Sequence, residues 1–297
     1  MDERISQWLA DGPLVIDGGW GTQLQLRGLP LGMQPDLWNL ENPEAVSAVA
    51  RAYVEAGSDI ILSNTFGANR FVLAQCGAAE RVHDINLAGA KVSREAADAA
   101  TGRTVRVFAS MGPSGKLLMT GEVSEEELFD AFKEQANAIA QAGVDAFVVE
   151  TMSDPQEAAL AIRAAKTTGR PVVGSMTFDS GKNKDRTMMG TTIEQAVKAL
   201  TAAGADAVGA NCGQGIDGFI PLCQRFRAAT ELPLWMKGNA GLPEMRDGQT
   251  VYSQTPEAFA EKAKLLLDEG ASFIGGCCGT TPDYIRELRK LLPVRAR

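Results

Sequence analysis

The sequence predicts a single closed (β/α)8 barrel, and three observations carry that prediction. Eight short β-branched or apolar runs recur along the 297 residues, each followed by a segment of helical spacing. A glycine repeatedly stands at the entry to a strand, where a helix ends in a left-handed residue and the chain turns. The length suits eight strand–helix units, which take about 250 residues. An open doubly wound sheet shows the same alternation, but no Gly-x-Gly-x-x-Gly fingerprint follows the first run, which weighs against its dinucleotide-binding form.

The strand runs, in order, are 14–17, 60–65, 105–110, 146–151, 172–178, 207–211, 234–238 and 272–276. Between the first two, Val46, Val49, Tyr53 and Val54 fall on one helical face at i, i+3, i+7 and i+8. The strand-entry cue reads Glu-Ala-Gly-Ser-Asp at 55–59 and Gln-Ala-Gly-Val-Asp at 141–145. It returns as Ala-Gly-Ala-Asp at 203–206 and, more loosely, as Glu-Gly-Ala-Ser at 269–272. Residues 181–185 read as an exposed loop. No linker, charge run or low-complexity segment divides the chain, so one domain is expected over 1–297.

Composition narrows the function. A formal charge of −8 leaves no basic surplus to neutralise phosphates, which excludes an ordinary nucleic-acid binder. No apolar run reaches membrane-spanning length. The start, Met1-Asp2-Glu3-Arg4, is acidic where an export signal is basic and then apolar, so a cytoplasmic protein is expected. Five cysteines in a long chain do not suit a disulfide framework. There is one histidine, His83, so catalysis is expected to rest on carboxylates, thiols, backbone groups or a metal.

In a barrel of this kind the site lies where strands end and the following loops begin. Those ends carry Asp17, Asn64, Ser110, Glu150, Thr151, Cys212, Asn239 and the pair Cys277-Cys278. Strands six and eight are separated by one strand, so three thiols can converge, and glycines around the cysteine pair permit a tight loop. Three thiolates suit Zn²⁺ and leave a fourth position for water or substrate. A vicinal disulfide and plain core packing are the competing readings of the same spacing. Cys76 and Cys223 fall in helical segments and are expected to pack; His83 is expected at a helix surface.

These residues resemble the zinc-dependent homocysteine S-methyltransferase family, and most closely the homocysteine-binding module of cobalamin-dependent methionine synthase. The likeness runs over about 14–285. It rests on Cys212 and Cys277-Cys278, on Asp17-Gly18-Gly19-Trp20-Gly21-Thr22, and on Asn64-Thr65-Phe66-Gly67-Ala68-Asn69-Arg70. Gly112-Pro113-Ser114-Gly115, Glu150-Thr151-Met152-Ser153-Asp154 and Asn239-Ala240-Gly241-Leu242-Pro243 extend it. The resemblance implies a (β/α)8 barrel, Zn²⁺ on Cys212, Cys277 and Cys278, and the thiol of homocysteine as methyl acceptor, giving methionine.

Glu150 is then expected to accept the substrate ammonium, the alternative being a barrel-rim ion pair with a nearby Lys or Arg; Asp17 is expected to orient the site, share that contact or stabilise its own loop. A free backbone N–H around Gly19 or Thr151 is expected to take the carboxylate, and Asn64 and Asn239 are expected to contact substrate, brace the zinc loops or satisfy local backbone groups. No segment is left over for binding cobalamin, so methylcobalamin is expected on a separate corrinoid protein. Betaine or S-methylmethionine as a small donor, and a non-catalytic structural-metal or thiol-binding barrel, are the alternatives. The chain departs from the methionine-synthase pattern at Gly213-Gln214-Gly215 after Cys212, and at Lys237-Gly238 before Asn239.

Overall fold

The computed structural model describes residues 1–246 and 249–293. Residues 247–248 and 294–297 of the expected 1–297 domain lie outside the described residues. Its strands are β1 (Leu14–Val15), β2 (Ile60–Leu62), β3 (Arg106–Met111), β4 (Ala146–Met152), β5 (Val172–Met176), β6 (Ala207–Gly215) and β7 (Leu234–Asn239). A hairpin of β8 (Pro243–Arg246) and β9 (Gln249–Tyr252) precedes β10 (Ala271–Gly276). The barrel strands are all parallel, in the order β1-β10-β7-β6-β5-β4-β3-β2.

The ring is completed between β1 and β2, through the parallel bridge of Ile16 with Ile60. Two backbone bonds flank it: Asp59 N–H donates to the Val15 carbonyl (2.7 Å) and Asp17 N–H to that of Ile60 (3.0 Å). Two carboxylates reinforce the seam, Asp59 accepting from Val15 N–H and Asp17 from Leu62 N–H. An open sheet has no such seam, so the architecture is the (β/α)8 barrel. All eight predicted runs are barrel strands, with ends shifted by a few residues.

The helix between β1 and β2 (Pro43–Ala56) buries Val46, Val49, Tyr53 and Val54, the face its spacing predicts, and ends at Gly57 with φ +103°. Gly143, Gly204 and Gly270 are likewise left-handed, at φ +75°, +97° and +93°. Outward-facing strand residues and helix faces form one continuous core around the barrel. Inside it, Phe108 stacks on Trp235 with ring centres 5.9 Å apart, and Phe273 leans on both. A short N-terminal helix (Glu3–Trp8) closes this lower end, burying Ile5 and setting Trp8 against Phe108. Among the described residues no helix is long and apolar enough to cross a membrane.

Candidate active site

The opposite end of the barrel holds a cavity of about 410 Å³, lined by all three predicted cysteines together with Glu150, Thr151, Asn64, Gly19 and Lys237. Cys212 stands within β6, and Cys277 and Cys278 follow β10 directly. Their sulfurs all lie within 4.8 Å of one another, with Cys212 Sγ 3.8 Å from Cys278 Sγ. Two corners of a tetrahedron with metal–sulfur bonds of about 2.3 Å are separated by about 3.8 Å. Hydrogen bonds from Cys277 and Cys278 hold the Cys212 pKa well below the ordinary thiol value, and the same contact with Cys212 raises theirs.

Local backbone explains how three sulfurs converge. Cys212 has φ +61°, a left-handed conformation that side chains seldom adopt and that turns its thiol off the strand direction. The cysteine pair sits in a loop where Gly276 meets Thr280 and Gly279 lies against the Tyr252 ring, each so closely that a Cβ would overlap its neighbour. Cys278 N–H donates to Asn239 Oδ1 at 3.1 Å and Cys277 N–H to the Gly238 carbonyl at 2.8 Å. Asn239 thus braces the cysteine loop.

Asn211, which sequence reasoning passed over, ties the other wall together. Its Oδ1 accepts from Thr151 N–H (2.9 Å) and Ser175 Oγ (2.7 Å), and its Nδ2 donates to Thr151 Oγ1 (2.7 Å). The same amide approaches Cys277 Sγ at 4.0 Å. Thr151, at φ +62°, is the second left-handed non-glycine residue of the site, and Asn211 fastens it. The signal was its place directly before a strand-end cysteine; the side-chain partners come from β4 and β5, which lie far away in sequence.

The floor is a buried charged cluster. Asp17 is fully buried; its Oδ2 accepts from Trp20 Nε1 (2.7 Å) and Leu62 N–H (2.6 Å), and its Oδ1 from Lys237 Nζ (3.1 Å). Glu150 accepts from Ser110 Oγ at 2.5 Å. Burial pushes the Glu150 pKa up, against the opposing pull of the Lys237 charge and the Ser110 hydroxyl. Burial also works against the Lys237 charge, but the Asp17 and Glu150 carboxylates outweigh it and hold that pKa above the usual lysine value.

Other expectations land differently. Gly19 N–H is bonded to both the carbonyl and the Oγ1 of Thr280 (3.2 and 3.1 Å), and Thr151 N–H to Asn211. Both N–H groups hold strand-end loops together. Asn64 lines the cavity but donates to the Pro35 carbonyl and Asn39 Oδ1, bracing the loop after β1 rather than the cysteines. Trp20 is a hydrogen-bond donor to Asp17. Cys223 packs in the core as expected, whereas Cys76 is exposed in the turn after the helix Arg70–Ala74. His83 is exposed on the helix Val82–Asp98 beside Asp84. Of the two departures from the family pattern, Gln214 serves the scaffold, donating to the Phe178 and Lys184 carbonyls. Lys237 enters the site.

Comparison with known proteins agrees with this geometry. Methionine synthases of Mycobacterium leprae and Mycobacterium tuberculosis are each 32% identical over 302 aligned residues, covering 97% of this chain. The chain spans only 25% of the length of either relative. Among solved structures, the homocysteine methyltransferase MmuM of Escherichia coli, in its oxidized and metallated forms, superposes with a TM-score of 0.77 at 24% identity. That alignment covers 94% of this chain and 96% of MmuM and speaks for the fold. The homocysteine S-methyltransferase family profile matches residues 14–292, and the chain belongs to that family.

Proposed function

We propose that this barrel transfers a methyl group to the thiol of homocysteine, forming methionine, with Zn²⁺ held by Cys212, Cys277 and Cys278. The observation that carries the reading is the three-sulfur cluster, spaced for tetrahedral ligation, in one cavity with the Glu150 carboxylate. Three protein sulfurs fit a zinc site that keeps one position for an exchanging ligand. When bound, zinc supplies the Lewis acidity that lets an acceptor thiol ionise near neutral pH, where a free thiol of pKa ~8.5 is mostly protonated.

The chain's own groups do the rest. Glu150 receives the substrate ammonium, and Ser110 fixes the orientation of its carboxylate. Asp17 is held by Trp20, Leu62 and Lys237 and sets the charge of the floor beneath the acceptor. Asn239 and Asn211 hold the cysteine loops in register, so the nucleophilic sulfur is presented to a donor entering from the open end of the barrel. The nucleophile forms a carbon–sulfur bond as the donor's methyl bond breaks, and the leaving pair of electrons stays with the donor. No histidine base is needed.

For the donor we favour a methylcorrinoid carried by a separate protein, supported by the similarity to methionine synthases, of which this chain matches a quarter. Betaine or S-methylmethionine is the competing source. The test is a donor panel with homocysteine. Methionine is expected with a methylated corrinoid protein and not with either small donor alone; methionine formed from betaine or S-methylmethionine without corrinoid would overturn the assignment.

A further inference from the structure

The β8–β9 hairpin lies outside the repeating strand–helix unit, yet its base is fastened to the cysteine loop. Pro243 pairs with Tyr252 where the hairpin closes. Just beyond, Gln254 N–H donates to the Ala240 carbonyl (3.2 Å), and Ala240 N–H donates to the Cys278 carbonyl (3.0 Å). Cys278 N–H donates in turn to Asn239 Oδ1, so its backbone is tied on both sides to the end of β7. From the helix Pro282–Leu291, the Tyr284 hydroxyl donates to the Gln254 carbonyl and holds the same segment.

These bonds deliver one side chain to the sulfurs. The Tyr252 ring packs half-buried against the main core and lies on Gly279, whose left-handed backbone (φ +80°) leaves no room there for a Cβ. Its hydroxyl is hydrogen-bonded to Cys278. Burial, followed by the negative charge of the three cysteines, raises the phenol pKa, so the group keeps its proton at neutral pH and is the donor. Tyr252 reaches Cys278 from outside the set of residues that line the cavity. We infer that Tyr252 is a positioning residue for the metal centre, its hydroxyl orienting the Cys278 thiolate and weakening that sulfur's donation to bound zinc. Three thiolates already outweigh the charge of Zn²⁺, and an acceptor thiolate adds a fourth. A hydrogen bond to one of them withdraws electron density from the sulfur and leaves the ion more of its Lewis acidity. This rests on the zinc site proposed above and adds to it a group from the hairpin.

The experiment uses the full chain loaded with Zn²⁺ and, separately, with Co²⁺, whose sulfur-to-metal charge-transfer absorption reports how strongly the thiolates donate. Tyr252→Phe keeps the ring on Gly279 and removes only the hydroxyl. The charge-transfer band is expected to move to lower energy, because a thiolate without its hydrogen bond gives up an electron more readily. Zinc affinity by chelator competition should fall about tenfold, the lower end of what losing a group that supports a metal ligand costs. Tyr252→Leu, which removes ring and hydroxyl together, should show the same band shift. A band at the wild-type position in Tyr252→Phe, or a zinc affinity within about twofold of wild type, would overturn the inference and leave Tyr252 as packing for Gly279. A wild-type chain that takes up neither metal would instead remove the zinc reading itself, and this inference with it.

Discussion

Two levels of the same barrel interior differ by a single step along each strand. The lower level is filled by Phe108, Val148, Val173, Trp235 and Phe273. Two residues further on, the same strands present Ser110, Glu150, Ser175 and Lys237, and β10 runs on to Cys277. The lower side chains require only shape, and they interlock as stacked and tilted rings. The upper ones are buried polar groups, each of which costs stability unless another satisfies it. They do so through the Lys237–Asp17 pair, the Ser110–Glu150 bond and the Asn211 bridge. Apolar packing fills one layer and polar groups the next, so the contributions of the two should be separable by substitution.

The largest separation is expected at the sulfurs. Cys278→Ala should abolish stoichiometric zinc and cut methyl transfer by at least a hundredfold, the upper end of what losing a mere support of a metal ligand costs, roughly 10–100-fold. Its urea midpoint without metal should move little. Zinc analysis and single-turnover assays check this, and a variant that keeps both zinc and rate would dissolve the distinction between the layers. In the lower layer, Phe108→Ala should cost about 3–5 kcal/mol by urea unfolding, while the folded fraction retains its zinc content.

Asp36 tests how the upper end tolerates a buried carboxylate whose hydrogen-bond donors, among the described residues, are neutral. Burial raises its pKa from 3.8 to about 6, although Gln34 Nε2 and Gly67 N–H both donate to it. The unfolded chain ionises above 3.8 while the folded one holds the proton to about 6. Stability contributed by the protonated side chain is therefore present at low pH and lost as pH rises through that window. The loss is at most about 3 kcal/mol, from 1.36 kcal/mol per pKa unit. Asp36→Asn should flatten this slope; parallel urea-midpoint profiles from about pH 4 to pH 7 for variant and wild type would contradict it. The smallest effect is expected for Asn211→Ala, a roughly 10–100-fold weaker zinc site by chelator competition, with all three sulfurs still present.

The contrast between layers also explains what could be read from sequence. Strands are legible because runs such as Ile60–Leu62 are compact and apolar, and the entry glycines because positive φ selects for glycine. The cysteines stood out through their strand-end positions and flanking glycines. The N-terminal helix that plugs the barrel and the β8–β9 hairpin beside the site were not foreseen, since neither belongs to the repeating unit. Lys237 was visible only as a departure before Asn239; that its ammonium meets Asp17, 220 positions away, depends on barrel closure and not on any local pattern. For the same reason the N–H groups of Gly19 and Thr151 looked free in sequence and are bonded in the structure.

Zinc-edge X-ray absorption on the purified chain, recorded before and after adding homocysteine, tests the central claim most directly. Three protein sulfurs at about 2.3 Å with one lighter ligand are expected at first, and four sulfurs once homocysteine is present. Absence of zinc, or a coordination shell that homocysteine leaves unchanged, would contradict the account.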